Sequence, residues 1–137
     1  MNPAEVALLE ASLEDVRAAG PRATEAFYAE LFRLEPAAPE LFHLPVEQQA
    51  AVFLSELDAL LAAVRDLPTF VARARQLGRR HGGRGVRAHH FDAGAAALPA
   101  MLRAVYGEPV RAELAGAWRH AYRLAAQVMQ EELFALE

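Results

Sequence analysis

His81 closes an apolar helical stripe formed with Phe70, Ala74 and Leu77, and Gly82 and Gly83 follow it at once. An imidazole on the inner face of a helix needs a polar partner or a metal. A hydrogen bond to a core carbonyl meets that need, as does the negative end of a helix macrodipole or ligation of an ion. The remaining histidines do not add a zinc pattern. His89 and His90 are adjacent and so are expected to face different ways on a helix, while His43 and His120 stand alone. A single protein nitrogen does suit haem iron, because the porphyrin supplies the other four.

A haem asks for more than one histidine: a wide apolar slot, an aromatic wedge, and an open sixth position lined by few polar groups. Gln49 lies one turn before Phe53, so its amide can share the inner face of that helix, and Tyr28 sits beside core residues on another. Two donors over a dry pocket steady bound dioxygen. Each has a plainer reading as well. Gln49 can be a solvated first-turn residue, and Tyr28 a core aromatic with its hydroxyl at the surface.

These side chains need helices to hold them. Apolar residues recur at helical spacing, alanine and leucine are abundant, and β-branched residues are few, so the expected class is all-α with about six helices. Asn2, Pro3 and Glu5 form a capping signature for the first helix, whose stripe is Val6, Leu9, Leu13 and Val16; Gly20-Pro21 ends it. A second helix is expected near 21–34 with Phe27, Tyr28, Leu31 and Phe32. Pro36 and Pro39 then break the chain into a short connection ending at Leu41-Phe42. Pro45 opens a third helix expected to reach about Arg65, and Leu67-Pro68 punctuates before the helix of His81. Phe91, Ala95, Leu98, Leu102 and Val105 mark a long helix that Pro99 is expected to bend, and a last helix is expected to start near Pro109.

At 137 residues and 54% hydrophobic content, the chain fits one domain over 1–137. It has no cysteine, which excludes disulfides, thiolate metal sites and covalent haem attachment, and suits a reducing cytoplasm. The N-terminus reads as neither a signal peptide nor a membrane anchor, and the longest apolar run, near Ala95 to Leu102, is too short to span a bilayer. A net charge of −4 argues against nucleic acid, although Arg73, Arg75, Arg79, Arg80, Arg84 and Arg87 form a local basic cluster. Monomer and weak homodimer are both compatible with the helical pattern.

The ordered set Phe27-Tyr28, Leu31-Phe32, Pro36, Pro39-Glu40-Leu41-Phe42, Gln49, Leu67-Pro68, Arg80-His81, Gly85-Val86, Ala117-Trp118 and Ala121-Tyr122 resembles the globin domain of bacterial flavohaemoglobins and the single-domain haemoglobins of the Vitreoscilla type. The resemblance spans nearly the whole chain, with a few residues fewer between Phe42 and Gln49. It implies a globin fold and a noncovalent haem b. In it, His81 is the proximal iron ligand, Tyr28 the distal tyrosine, Gln49 the distal glutamine and Phe42 the ring packed on the porphyrin. It places Phe53 above the iron and Val86, Phe91 and Leu98 among the haem contacts. Arg80 matches a basic residue near a haem propionate, and a solvated basic face is the equal alternative.

Two departures matter. Flavohaemoglobins pair the proximal histidine with a tyrosine and a glutamate that raise its basicity; Phe91 and Leu133 stand at the matching positions. Glu131 or Glu132 can substitute only if the last helix shifts register. No Gly-x-Gly-x-x-Gly element follows the globin-like region, so electrons are expected from a separate flavin reductase. The function implied is reversible binding of dioxygen, and of NO and CO, at ferrous iron. The alternatives are nitric oxide dioxygenation with that reductase, gas or redox sensing or electron transfer, and a haem-free helical bundle.

Overall fold

Asn2 starts the first helix as its side chain dictates: Oδ1 accepts the Glu5 N–H at 2.8 Å, and Glu5 Oε1 accepts the Asn2 N–H at 3.2 Å. The computed structural model describes residues 1–82 and 85–135. Among the described residues the chain forms six α-helices and one 3-10 turn, with no strand. The helices are α1 (Pro3–Ala19), α2 (Pro21–Leu34), α3 (Val46–Leu61), α4 (Leu67–Gly82), α5 (Ala88–Tyr106) and α6 (Ala112–Ala135), and the 3-10 turn Ala38–Leu41 lies between α2 and α3. Gly20 holds φ +66° between α1 and α2, a left-handed value that glycine adopts at no steric cost, so Pro21 can begin a new helix immediately.

Two helix pairs dominate the packing. α2 lies mainly on α5 and α4 mainly on α6, with α1 against α6, while α3 rests chiefly on α2 and meets α4 far less. Leu9, Val16, Phe70, Met101, Leu102 and Trp118 are the largest apolar side chains wholly removed from solvent. Each contributes roughly 1.5–3 kcal/mol by burial. The polar groups inside this core are satisfied. The Trp118 indole N–H donates to Ser12 Oγ at 2.8 Å, Ser12 Oγ donates to the Leu8 carbonyl at 2.6 Å, and Thr24 Oγ1 donates to the Ala50 carbonyl at 2.7 Å, tying α2 to α3.

Two boundaries differ from the sequence expectation. α3 stops at Leu61 rather than near Arg65, because the N–H groups of Ala63 and Val64 turn to the carbonyls of Leu60 and Leu61, at 3.1 and 3.2 Å, in tighter i→i−3 bonds. Asp66 then caps α4, with its carboxylate accepting from Thr69 Oγ1 at 2.6 Å. α6 begins at Ala112, three residues after Pro109, and the Arg111 carbonyl accepts the N–H of Ala115 at 3.0 Å. α5 runs as one helix through Pro99, which sits on its exposed side. Gly83 and Arg84, part of the expected helix stop and of the basic cluster, lie outside the described residues.

Candidate functional site

One cavity collects nearly every residue singled out above. α2 contributes Tyr28, the turn after the 3-10 segment contributes Phe42, and α3 contributes Gln49 and Phe53. α4 contributes Leu77 and His81, the segment before α5 contributes Val86, and α5 contributes Phe91 and Leu98. The lining is overwhelmingly apolar. Arg80 is the exception among the expected contacts: it is exposed and does not line the cavity.

The helical stripe of α3 turns Gln49 inward, so that it is only 6% exposed, and the solvated first-turn reading falls. Gln49 Nε2 donates to Tyr28 Oη at 3.4 Å, which places the Tyr28 hydroxyl inside as well, with the residue 5% exposed. Aromatic rings pack around this pair. Tyr28 meets Phe42 edge-on at a centroid distance of 5.4 Å and Phe53 at 5.6 Å, while Phe27 tilts against Phe53 at 4.7 Å. Such contacts add roughly 0.5–1.5 kcal/mol each beyond burial and hold the rings at fixed angles.

On α4, His81 Nδ1 lies 2.7 Å from the Leu77 carbonyl. A carbonyl only accepts, so the proton resides on Nδ1 and Nε2 bears the lone pair of the neutral ring. That tautomer is the one metal-binding histidines adopt when a second group orients them. Of the chemistries open to His81 in the sequence, the core hydrogen bond is therefore realised, and it prepares the ring for ligation. Phe91 lies beside it, with ring centroids 6.5 Å apart.

Tyr122 on α6 donates to the Phe91 carbonyl at 3.0 Å and also lines the cavity. Burial pushes its phenol pKa far above the ordinary value, with the Asp92 charge adding to the effect, so the hydroxyl stays a neutral donor. The phenol fits only because α5 has Gly94 beneath it. The spacing along α6 does not by itself mark Tyr122 for this cavity; the signals in the sequence are the Ala121-Tyr122 pair of the ordered set and a glycine inside the amphipathic α5.

Leu133 and Phe91, at the positions of the basicity-raising pair, are both buried and apolar. Glu132 bonds Arg79 across to α4 at 2.7 Å, and Glu131 accepts from Gln127 at 3.4 Å, so both carboxylates are engaged elsewhere. The arginine cluster is likewise partly committed to structure. Arg79 holds Glu132, and Arg73 donates to the Ala59 carbonyl.

The expectation that His89 and His90 face apart is corrected. His90 Nδ1 accepts the Arg87 N–H at 2.8 Å, which folds its ring back over the start of α5, and the two imidazole centroids lie 4.1 Å apart.

The site fits a noncovalent haem by the chemistry of its donors: an apolar cavity, one imidazole held in the ligating tautomer, and one hydrogen-bonded polar pair. A family model described as Globin matches residues 25–129. Among solved structures, the chain is similar to an engineered carbene transferase variant of RmaNOD, a protein from Rhodothermus marinus named as a nitric oxide dioxygenase. The two share 22% identity at a TM-score of 0.87, over 99% of this chain and 95% of that one. No curated protein matches in sequence.

Proposed function

Because the chain belongs to the globin family, we propose that it reversibly binds dioxygen, and also NO and CO, at the ferrous iron of a noncovalent haem b, with residues 1–137 acting as one globin domain. When bound, the haem supplies the metal centre for a diatomic gas and its redox change. Everything else is asked of the protein. His81 offers Nε2 to the metal, and the Leu77 carbonyl fixes the ring's orientation through Nδ1–H. Phe42, Phe53, Val86, Phe91 and Leu98 hold the macrocycle and exclude water. Gln49 donates to the Tyr28 oxygen, and this hydrogen-bonded pair presents the cavity's distal polar groups to a polar ligand. Arg80, exposed on α4, answers the carboxylates that a haem brings.

The observation that carries this reading is a single cavity lined both by His81, its Nδ1–H bound to Leu77, and by the Gln49–Tyr28 pair. The test is the ultraviolet and visible spectrum of haem-reconstituted protein in ferric, reduced and oxygenated forms. Stable bands that His81→Ala loses or shifts support the reading. Haem that washes out of both proteins alike refutes it.

A second reading, nitric oxide dioxygenation, is favoured by the fold shared with the Rhodothermus marinus protein so named. NO and dioxygen combine to nitrate with uptake of one electron, for which we take a flavin reductase as the source and a reducing cytoplasm as the setting. Nitrate formed catalytically when a flavin reductase and NADH are added distinguishes it from simple binding.

A further inference from the structure

α2 packs most heavily on α5, and this brings the C-terminal end of α2 against the first turn of α5. Glu35, the residue that ends α2, thereby faces the adjacent His89 and His90. Glu35 Oε2 lies 3.9 Å from His89 Nε2, and one ligand atom from each of the three residues falls within 4.8 Å of the others. We propose that Glu35, His89 and His90 form a surface site for a divalent transition-metal ion, with zinc the best match, separate from the haem iron.

Two imidazoles and a carboxylate are the donor set that borderline divalent ions prefer over calcium or magnesium, which want oxygen alone. Zinc accepts three protein ligands and completes a tetrahedron with water. Its ligand bonds of about 2.0–2.2 Å place neighbouring donors roughly 3.4 Å apart. The 3.9 Å between Glu35 and His89 therefore closes by about 0.5 Å, and no separation, all lying within 4.8 Å, by more than about 1.4 Å, within reach of side-chain rotation at a half-exposed surface. Burial, and then the neighbouring His89, hold the His90 pKa below its usual value against the opposing charge of Glu35, which favours the neutral ring a ligand requires.

His90 brings an opposing cost. Its Nδ1 accepts the Arg87 N–H, so the lone pair a metal needs is the one that caps α5, and binding the ion displaces that bond. His90 also lines the haem cavity, which connects the surface ion to the start of α5 inside the pocket. The site is therefore built to bind zinc more weakly than a closed structural centre does.

The test is titration of the haem-loaded protein with Zn2+ against a metallochromic indicator, repeated with Glu35→Gln, His89→Ala and, as a control, His43→Ala. The proposal expects one equivalent bound, at least tenfold weaker binding in Glu35→Gln and in His89→Ala, and no change in His43→Ala. A wild-type protein that binds no stoichiometric zinc overturns it. So does binding that survives unchanged in both site variants. Co2+ supplies the second readout: visible d–d bands of a nitrogen and oxygen site that vanish in His89→Ala, in a variant whose haem spectrum shows it to be folded.

Discussion

A Cβ built on Gly94 stands 2.0 Å from the Tyr122 hydroxyl, so the small residue on α5 and the phenol on α6 are one fitted contact. Alanine in an exposed helix position is usually worth about 0.5–1 kcal/mol more than glycine. Here the sign reverses: Gly94→Ala is expected to cost about 1–3 kcal/mol, because Tyr122 must leave its bond to Phe91. Thermal unfolding reads the loss. Adding Tyr122→Phe to Gly94→Ala should recover part of it, since removing the oxygen leaves the ring carbon at 3.0 Å. Strict additivity of the two changes would contradict the contact.

Gly78 is the tighter case. Its Cβ would meet the Met129 carbonyl oxygen at 2.8 Å and the Met129 Cα at 2.9 Å, and backbone cannot rotate away as a side chain can. Gly78→Ala must push α4 off α6, at about 3 kcal/mol or more. His81 lies one turn further along α4, so the variant should also release haem faster. Haem transfer to an acceptor apoprotein measures this, and a variant that loses stability but holds haem as well as wild type would argue against the coupling.

Tyr28→Phe removes the distal hydroxyl and keeps the ring packing. A single hydrogen bond of about 0.5–1.5 kcal/mol predicts dioxygen leaving roughly 2–10 times faster. Carbon monoxide, which is far less polar when bound, should change little. Stopped-flow dissociation of both gases checks it, and equal effects on the two would point to a steric role for Tyr28.

Acid should loosen α1 first. Glu5 accepts from His120 on α6 and from the Asn2 N–H, and Glu10 is held by both ends of the Arg65 guanidinium; these bonds lower both carboxyl pKa values below the ordinary 4.5. A lowered carboxyl pKa stabilises the fold at pH above the unfolded value, and the contribution disappears as pH falls through the folded one. The loss therefore begins near pH 4.5 and grows as the pH falls further. Trp118, the only tryptophan, is bonded to Ser12 of α1, so its fluorescence should report the change. The double variant Glu5→Gln, Glu10→Gln is expected to flatten this acid dependence.

The capping box allows a local test. Asn2→Ala leaves the Glu5 N–H without its side-chain acceptor and should cost about 1 kcal/mol, a few degrees in Tm. A variant indistinguishable from wild type would show that α1 is held by packing alone.

His81 was legible because an imidazole at the end of an apolar stripe is chemically conspicuous from one helix alone. Tyr28 and Gln49 were legible only as candidates, since each takes its burial from the crossing of α2 and α3. The end of α3 was not legible: Ala63 and Val64 continue the apolar pattern and are buried, yet their backbone has already left the helix. Tyr122 and the meeting of Glu35 with His89 and His90 depend on contacts between helices far apart in sequence, which periodicity along one helix does not encode. The bonds of Arg73 and Arg79 in the basic cluster were hidden for a similar reason, since their partners lie on other helices.

The uneven packing of the helices has a consequence for how the molecule coheres. With α3 bound chiefly to α2, and α4 to α6, the two walls that carry Gln49 and His81 meet each other sparingly, and a group filling the space between them would touch both. A tight cofactor in that space acts as interior mass that the gene does not encode, a keystone lent to the arch. Because it binds only the folded chain, stability then rises with the supply of cofactor and is not a property of the chain alone.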